Sequence, residues 1–321
     1  MDKREISNQI KQITKDSVDI EWFKLKNINL EELSALNGRS RLGCDFIDYY
    51  FFELRLDTIG NKGITFFDFL ENIEEYKSKK YIQTLLNFCQ KNNRYKNNLI
   101  QKYYYCYGLC FGRINAFKIT NALTLYHKYR PTTIMDPFCG FGGRCVAALL
   151  LNINYYGVDL NTDLKPAYDK LLADFANLDT TTSATIDIKF QDALSVDYIS
   201  KTYDMVFTSP PYENIEVYKH GEKKSIDEWT LFYNTIFRKL WDNLSLSPTT
   251  NRGIFAININ DKIYNKILVP LFGQCGEIIP LKKSSKNKSY SENIYMWTKN
   301  GQRMDKEWTK NGQRMDKEWT K

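Results

Sequence analysis

Residues 134–152 read IMDPFCGFGGRCVAALLLN. An apolar run stops at Asp136, glycines follow at 140, 142 and 143, and an amphipathic stretch starts near Arg144. Glycines in such a place let the chain turn sharply from strand to helix and leave bare backbone against which a ligand can lie. A strand, a glycine loop and a helix make the first half of a βαβ unit, and the residues downstream keep the pattern. NYYGVDL, LKPAYDKLLADFANL, TIDIKFQDA and YDMVF interleave short apolar runs with an amphipathic one. This predicts an α/β fold with a mostly parallel sheet. Further on, SIDEWTLFYNTIFRKLWDNL has helical spacing, and RGIFAININD, GEIIPLKK and ENIYMWTK read as three more strands. The set suits a Rossmann-like, seven-stranded sheet whose last two strands pair antiparallel.

Ligands of open α/β sheets collect at the carboxyl ends of strands, and four successive strand ends here carry a polar or glycine-rich feature. The glycine loop alone is a weak signal. It lacks the Lys-Ser/Thr of a phosphate-binding P-loop, and the last glycine of a dinucleotide fingerprint is misplaced, which weakens triphosphate and NAD readings. Asp159 closes the next strand, 17 residues beyond Gly142, where a carboxylate can accept both hydroxyls of a ribose. Taken alone it suits a helix N-cap equally well. Asp192 closes the third strand in FQDAL, and the fourth ends on TSPPY, residues 208–212. Paired prolines commonly do no more than stop a strand, but these follow the glycine loop, Asp159 and Asp192 in order along one sheet edge.

As a pair, DPFCGFGG and TSPPY resemble the motifs of the S-adenosylmethionine-dependent DNA amino-methyltransferases, which act on cytosine N4 or adenine N6. The resemblance covers about residues 111–299. It implies that Asp136, Phe138, Gly140 and Gly142 wrap the methionine end of S-adenosylmethionine, that Asp159 binds its ribose and that Asp192 lies near its adenine. FKITNALTLYHKY resembles the segment that completes the family's cofactor pocket, with Phe117 as the contact, and SENIYMWTK resembles its closing strand. Ser209, Pro210, Pro211 and Tyr212 become the catalytic group. An exocyclic amine is a poor nucleophile because its lone pair is delocalised into the ring. If Ser209 Oγ and the Pro210 carbonyl both accept from it, the nitrogen is drawn towards tetrahedral geometry. The prolines fix the backbone and have no N–H to spend, and Tyr212 offers a face for a base flipped out of the duplex. The serine ahead of the prolines favours cytosine N4 over adenine N6. GFGGR and TSPPYENIEVY are also similar, more loosely, to methylase-like proteins of phages and large viruses, with Gly143 in place of their acidic residue. A restriction or modification partner is compatible with such an enzyme, and the chain identifies none.

The 321-residue chain is 43% hydrophobic, enough to fold around a core. No apolar run reaches the roughly 18 residues of a membrane span, and MDKREISNQIKQ is polar where a signal peptide carries an apolar stretch. A cytoplasmic location, or a host-cell interior for a viral chain, is the expectation. Seven cysteines without a CxxC or Cys/His cluster fit neither a disulfide framework nor a zinc site. His127 and His220, the two histidines, leave little material for metal or histidine-dependent catalysis. The net charge of +7 is compatible with a polyanion such as DNA and equally with a Lys- and Asn-rich bias.

Residues 1–110 mix helical spacing with clustered aromatics, as in DFIDYYFFELRL, and read as a mostly helical region ahead of a methyltransferase domain over 111–299. The run YYYCYG reads as core more readily than as a nucleic-acid platform. Residues 300–321 form a polar tail, and TKNGQRMDKEW occurs twice in succession from Thr298. The tail resembles MORN-like repeats, but two copies are too few for a solenoid, and a duplicated coding segment is the preferred reading. Glu216 and Tyr218 suit either DNA contact or a surface loop, and His220 reads as solvent-exposed. LKKSSKNKSY, residues 281–290, suits phosphate contact and solvated surface equally. Two other functions stay open. One is an RNA methyltransferase, since related folds use Asp-Pro-Pro-Tyr on guanine N2 of tRNA; the other is a non-catalytic subunit that keeps the fold as a DNA-binding or allosteric partner.

Overall fold

The structure, a computed structural model, describes residues 2–33, 40–60, 62–179, 181–212, 224–281 and 292–300. Glu216, Tyr218 and His220, most of the LKKSSKNKSY stretch and residues 301–321 of the tail lie outside these. The described strands are β1 Thr133–Asp136, β2 Asn154–Asp159, β3 Ile186–Phe190, β4 Met205–Thr208, β5 Arg252–Asn260, β6 Glu277–Pro280 and β7 Glu292–Asn300. They form one seven-stranded sheet in the order β3-β2-β1-β4-β5-β7-β6. All run parallel except β7, which is antiparallel to both its neighbours. This is the Rossmann-like, seven-stranded sheet that the sequence predicts, with β6 and β7 as the antiparallel pair. β7 runs to Asn300, opposite Arg252, one residue past the expected boundary.

The chain winds outward from β1 to β3 and then returns to lay β4 on the other side of β1. That reversal opens a crevice at the carboxyl ends of β1 and β4, and both motifs emerge there. β4 is buried along its whole length, which accounts for its unbroken apolar run. Asp204, just before it, fixes its place beside β1: the carboxylate accepts from the Thr132 and Thr133 N–H groups at 2.9 and 2.8 Å and from the Thr132 hydroxyl at 2.9 Å.

Ahead of the sheet lie α1 Lys3–Ile10, α2 Lys15–Lys26, α3 Cys44–Leu56, α4 Phe66–Glu71, α5 Ile73–Ser78, α6 Lys80–Lys91, α7 Leu99–Cys110 and α8 Ile119–Tyr129. α9 Gly143–Leu150, α10 Lys165–Leu178 and α11 Ile226–Asp242 follow β1, β2 and β4. A helical run over Asp261–Ile263, Tyr264–Leu268 and Val269–Phe272, with a π turn in its middle, joins β5 to β6 and was not expected from the sequence.

The helices of residues 1–110 do not pack as one unit. α2 and α3 enter the core of the sheet: Trp22 meets Phe175 of α10 edge-on at 4.9 Å, and Phe51 meets Tyr168 at 5.1 Å. α1, α4, α6 and α7 enclose a second core around Phe66, Phe69 and Tyr107, to which α3 adds Phe52 and Leu56. The YYYCYG run lies in α7 with Tyr103, Cys106 and Tyr107 buried, a core role as expected. α11 and the helical run after β5 cover the opposite sheet face. The expected boundary near residue 110 therefore follows chain order but not packing. All seven cysteines are free, and among the described residues no helix is long and apolar enough to cross a membrane.

Candidate active site

Asp136, the last residue of β1, has no exposed surface. Its carboxylate accepts from Arg144 Nε at 2.6 Å and Nη2 at 3.2 Å, from the Tyr155 hydroxyl at 2.5 Å, from the Thr208 hydroxyl at 2.7 Å and from the Phe138 N–H at 3.3 Å. A carboxylate removed from water needs such a set of donors. The expectation that Asp136 faces a cofactor is corrected here, because the protein fills its acceptor positions. Its task is to hold Arg144. Burial works against the charge on Arg144, but the adjacent Asp136 outweighs it and holds the guanidinium above its ordinary pKa. The remaining N–H groups of Arg144 reach the Phe138 carbonyl at 2.6 Å and Ser209 Oγ at 3.0 Å. The guanidinium lies 5.3 Å from the Phe117 ring centre, and Phe117 meets Phe207 edge-on at 5.2 Å. Phe117 thus stands at the site through Arg144.

The glycines divide the labour differently from the expectation. Gly140 and Gly142 both adopt left-handed backbone, φ +53° and +77°. A Cβ at Gly140 would meet nothing within 4 Å, whereas one at Gly142 would sit 3.0 Å from the Phe51 ring of α3. Gly142 therefore lets the loop close on α3, and Gly140 is the residue that borders open space. Gly143 is the most constrained: its Cβ would fall 1.9 Å from the Phe117 carbonyl oxygen. This explains glycine where the viral methylase-like proteins carry an acidic residue.

Asp159, at the end of β2, accepts from the Gly140 N–H at 2.8 Å and the Asn161 N–H at 2.9 Å. Burial raises its pKa, and these two N–H groups offset part of the shift. It does not cap α10, so the N-cap alternative falls away. Phe138 is half-buried, its ring centre 5.9 Å from that of Phe232 on α11. Asp192 is exposed one strand further out and caps the short turn Ala193–Ser195 through the Leu194 N–H at 2.9 Å.

The Ser-Pro-Pro-Tyr motif meets this assembly from β4. Ser209 Oγ accepts from Arg144 Nη1 at 3.0 Å and from Asn258 Nδ2 at 2.8 Å. A hydroxyl has two acceptor positions and one proton, so Ser209 has filled the first two and keeps the last. Among the described residues nothing donates to the Pro210 carbonyl. The Tyr233 hydroxyl donates to the Pro211 carbonyl at 2.5 Å. Tyr212 is only 8% exposed; its hydroxyl donates to Glu292 Oε1 at 2.9 Å, with the Asn258 carbonyl at 3.2 Å. The open stacking face expected of Tyr212 is corrected to a ring packed in the core and anchored to β5 and β7. Asn258 Nδ2 also reaches Glu292 Oε1 at 3.1 Å, while its Oδ1 is buried with no hydrogen-bond partner.

A polar network thus runs from Asp136 through Arg144, Ser209 and Asn258 to Glu292 and Tyr212, crossing from β1 to β7. Arg144, Asn258 and Glu292 were not singled out from the sequence. They lie in GFGGR, RGIFAININD and SENIYMWTK, but the pairings span 65, 49 and 34 residues and no local pattern encodes them. Among the described residues no group of three or more His, Cys, Asp or Glu is placed to hold a metal ion.

No protein-family model matches the chain, and no curated protein matches it. Among solved structures it is similar to TrmN from Thermus thermophilus, at 15% identity and a TM-score of 0.39 over 57% of this chain. The match spans about half of that protein, 49% of its length. It is also similar to an rRNA methylase from Streptococcus thermophilus, at 14% identity and a TM-score of 0.35 over 53% of this chain and 87% of the other. A third is the plantazolicin methyltransferase BpumL in complex with SAH, at 15% identity and a TM-score of 0.29 over 45% of each chain. At scores this low the strand order and register, not these likenesses, define the architecture.

Proposed function

We propose that the chain transfers a methyl group from S-adenosylmethionine to the exocyclic amine of a DNA base, cytosine N4 in preference to adenine N6. The observation that carries this is the 3.0 Å bond from Arg144 to Ser209, which ties the glycine loop after β1 to the Ser-Pro-Pro-Tyr after β4 in one crevice. The residues suit the cofactor. Gly140 borders open space, and the Asp159 carboxylate is held at that border by two backbone N–H groups, as an acceptor of ribose hydroxyls requires. Phe138 and Asp192 stand on either side, just after β1 and β3. When bound, S-adenosylmethionine supplies an electrophilic methyl group on a sulfonium.

Ser209 takes a role different from the one the resemblance implies. With both acceptor positions filled, it is set to donate its proton, and the Pro210 carbonyl is the acceptor for the amine. A donor beside an acceptor matches the Watson–Crick edge of cytosine, where N3 neighbours the N4 amine, and that of adenine, where N1 neighbours N6. The corresponding edge of guanine sets an N1–H donor beside its amine. The pair therefore fits the Watson–Crick edges of cytosine and adenine, whereas guanine offers an acceptor beside its amine only at N3, off that edge. Holding the amine in line with the methyl group is itself worth up to about 7–11 kcal/mol in favourable cases.

Ser209→Ala tests this division of roles. Calorimetry should find cofactor affinity within about twofold of wild type, since Ser209 does not border Gly140. Single-turnover methyl transfer should fall by roughly tenfold to a hundredfold, the equivalent of about 1–3 kcal/mol for one unsatisfied hydrogen bond. Equal rates in both proteins, or no cofactor binding by either, would defeat the assignment.

A further inference from the structure

The sixty residues from Tyr76 to Met135 contain eleven Lys and Arg and not one Asp or Glu. The rest of the chain is slightly acidic, with 34 Lys and Arg against 38 Asp and Glu, so the whole excess of +7 is concentrated in this segment. The segment comprises α6, α7 and α8 with their connections, and it leads directly to Phe117 at the site. Within it, the hairpin of α6 and α7 holds cations that the fold leaves without an acidic partner. Lys80, Lys91, Arg94 and Lys96 are exposed, Lys102 is half-buried, and none of them makes an ion pair among the described residues. By contrast, Lys77 and Lys79 on the preceding turn pair with Glu74 and Glu75.

The arrangement is ordered. Lys80 and Lys91 are eleven residues apart on α6, which at 3.6 residues per turn returns to within about 20° of one helix face over some 16 Å. Tyr81 and Phe88, seven apart, form a second stripe along the same helix, 49% and 43% exposed. Arg94 is held over the Phe88 and Tyr105 rings at 5.6 and 5.3 Å. Tyr95, beside it, is 39% exposed on left-handed backbone at φ +53°, a conformation that bulky residues seldom adopt without cause. α6 also begins on lysines with no acidic residue in its first turn, although the positive end of a helix disfavours cations. Unpaired cations interleaved with exposed rings are what a polyanion with planar bases complements.

We infer that the α6–α7 hairpin is a docking surface for the phosphate backbone of the DNA that carries the target base. The choice of DNA rests on the methyl-transfer reading above; the choice of a polyanion does not. Lys80, Lys91, Arg94 and Lys96 contact phosphates, and the exposed rings of Tyr81 and Tyr95 lie among these contacts.

The test uses the full chain, without cofactor, and a labelled DNA duplex of mixed sequence, with anisotropy followed across a salt series. Lys80→Glu/Lys91→Glu/Lys96→Glu removes three exposed contacts, and Lys24→Glu/Lys62→Glu/Lys266→Glu makes the same charge change elsewhere. The hairpin variant should lose at least tenfold in affinity at roughly physiological salt. Its slope of log affinity against log salt should fall by about 2.7 in magnitude, three contacts at about 0.9 each. The control variant should stay within about twofold of wild type, and thermal melting should coincide for all three proteins. Unchanged affinity in the hairpin variant would overturn the inference, as would an equal loss in the control, which would reduce the effect to net charge. Tighter binding of an RNA duplex of the same sequence would overturn the commitment to DNA. A separate titration with S-adenosylmethionine keeps the two readings apart. If the cofactor fails to bind while the hairpin effect holds, methyl transfer falls and the docking surface stands. If the cofactor binds normally and the hairpin effect is absent, the docking surface falls and methyl transfer stands.

Discussion

Asp159 couples the candidate site to pH. Burial lifts its folded-state pKa above the ordinary aspartate value, so proton uptake there favours the native state. That contribution is fully present below the unfolded value and is lost as pH rises through the folded one. Cofactor binding runs the other way, since ribose hydroxyls need an ionised acceptor. Affinity for S-adenosylmethionine should therefore fall on acidification at a pH above the roughly 3.9 of a free aspartate. Titrations from neutral pH downward will check it with Asp159→Asn as control; identical pH profiles for the two proteins would contradict the assignment. The positions of Asp159, Gly140 and Ser209 beside strand ends were legible in the sequence because strand ends and turn residues leave local marks. Arg144, Asn258 and Glu292 were not, since each is defined by a partner on another strand. For the same reason Asp136 was read as a ligand contact. An acid at a strand end gives no sign of whether its acceptors face a ligand or five donors of its own chain.

At the level of elements, the β1–α9 junction shows how close packing decides which glycine does what. Gly143 admits the Phe117 carbonyl at a distance no side chain tolerates, and Gly140 faces open space. Gly143→Ala should therefore lower the melting temperature sharply or prevent folding, by forcing α9 away from the 117 backbone. Gly140→Ala should cost only the strain of a left-handed alanine, about 1–2 kcal/mol, while weakening the cofactor. Thermal melting paired with calorimetry separates them, and equal melting temperatures for the two variants would contradict the packing described. The strands were legible because β4 and its neighbours are buried on both faces and so read as apolar runs. The helical run after β5 was missed because three short pieces with a π turn between them carry no sustained 3.6-residue period.

For the molecule as a whole, the sheet is incomplete without residues 1–110. Val18, Phe46 and Phe51 have no exposed surface and share a core with Tyr168 and Leu171 of α10. A fragment of residues 111–300 should accordingly fail to give a cooperative melt, whereas a chain ending after Asn300 should melt within a few degrees of the full one. A folded, cofactor-binding 111–300 fragment would show that α2 and α3 are dispensable. This boundary was illegible from composition because the aromatic helices that complete the sheet and those that build their own core have the same amphipathic character. Only the partners differ. The full chain should be incubated with methyl-labelled S-adenosylmethionine and, separately, mixed duplex DNA and mixed RNA, followed by nucleoside mass spectrometry. N4-methylcytosine in the DNA is the predicted result, with N6-methyladenine retaining the site chemistry but correcting the base. Label confined to RNA, or on guanine N2, or absent from both polymers while the cofactor is bound, would contradict the account.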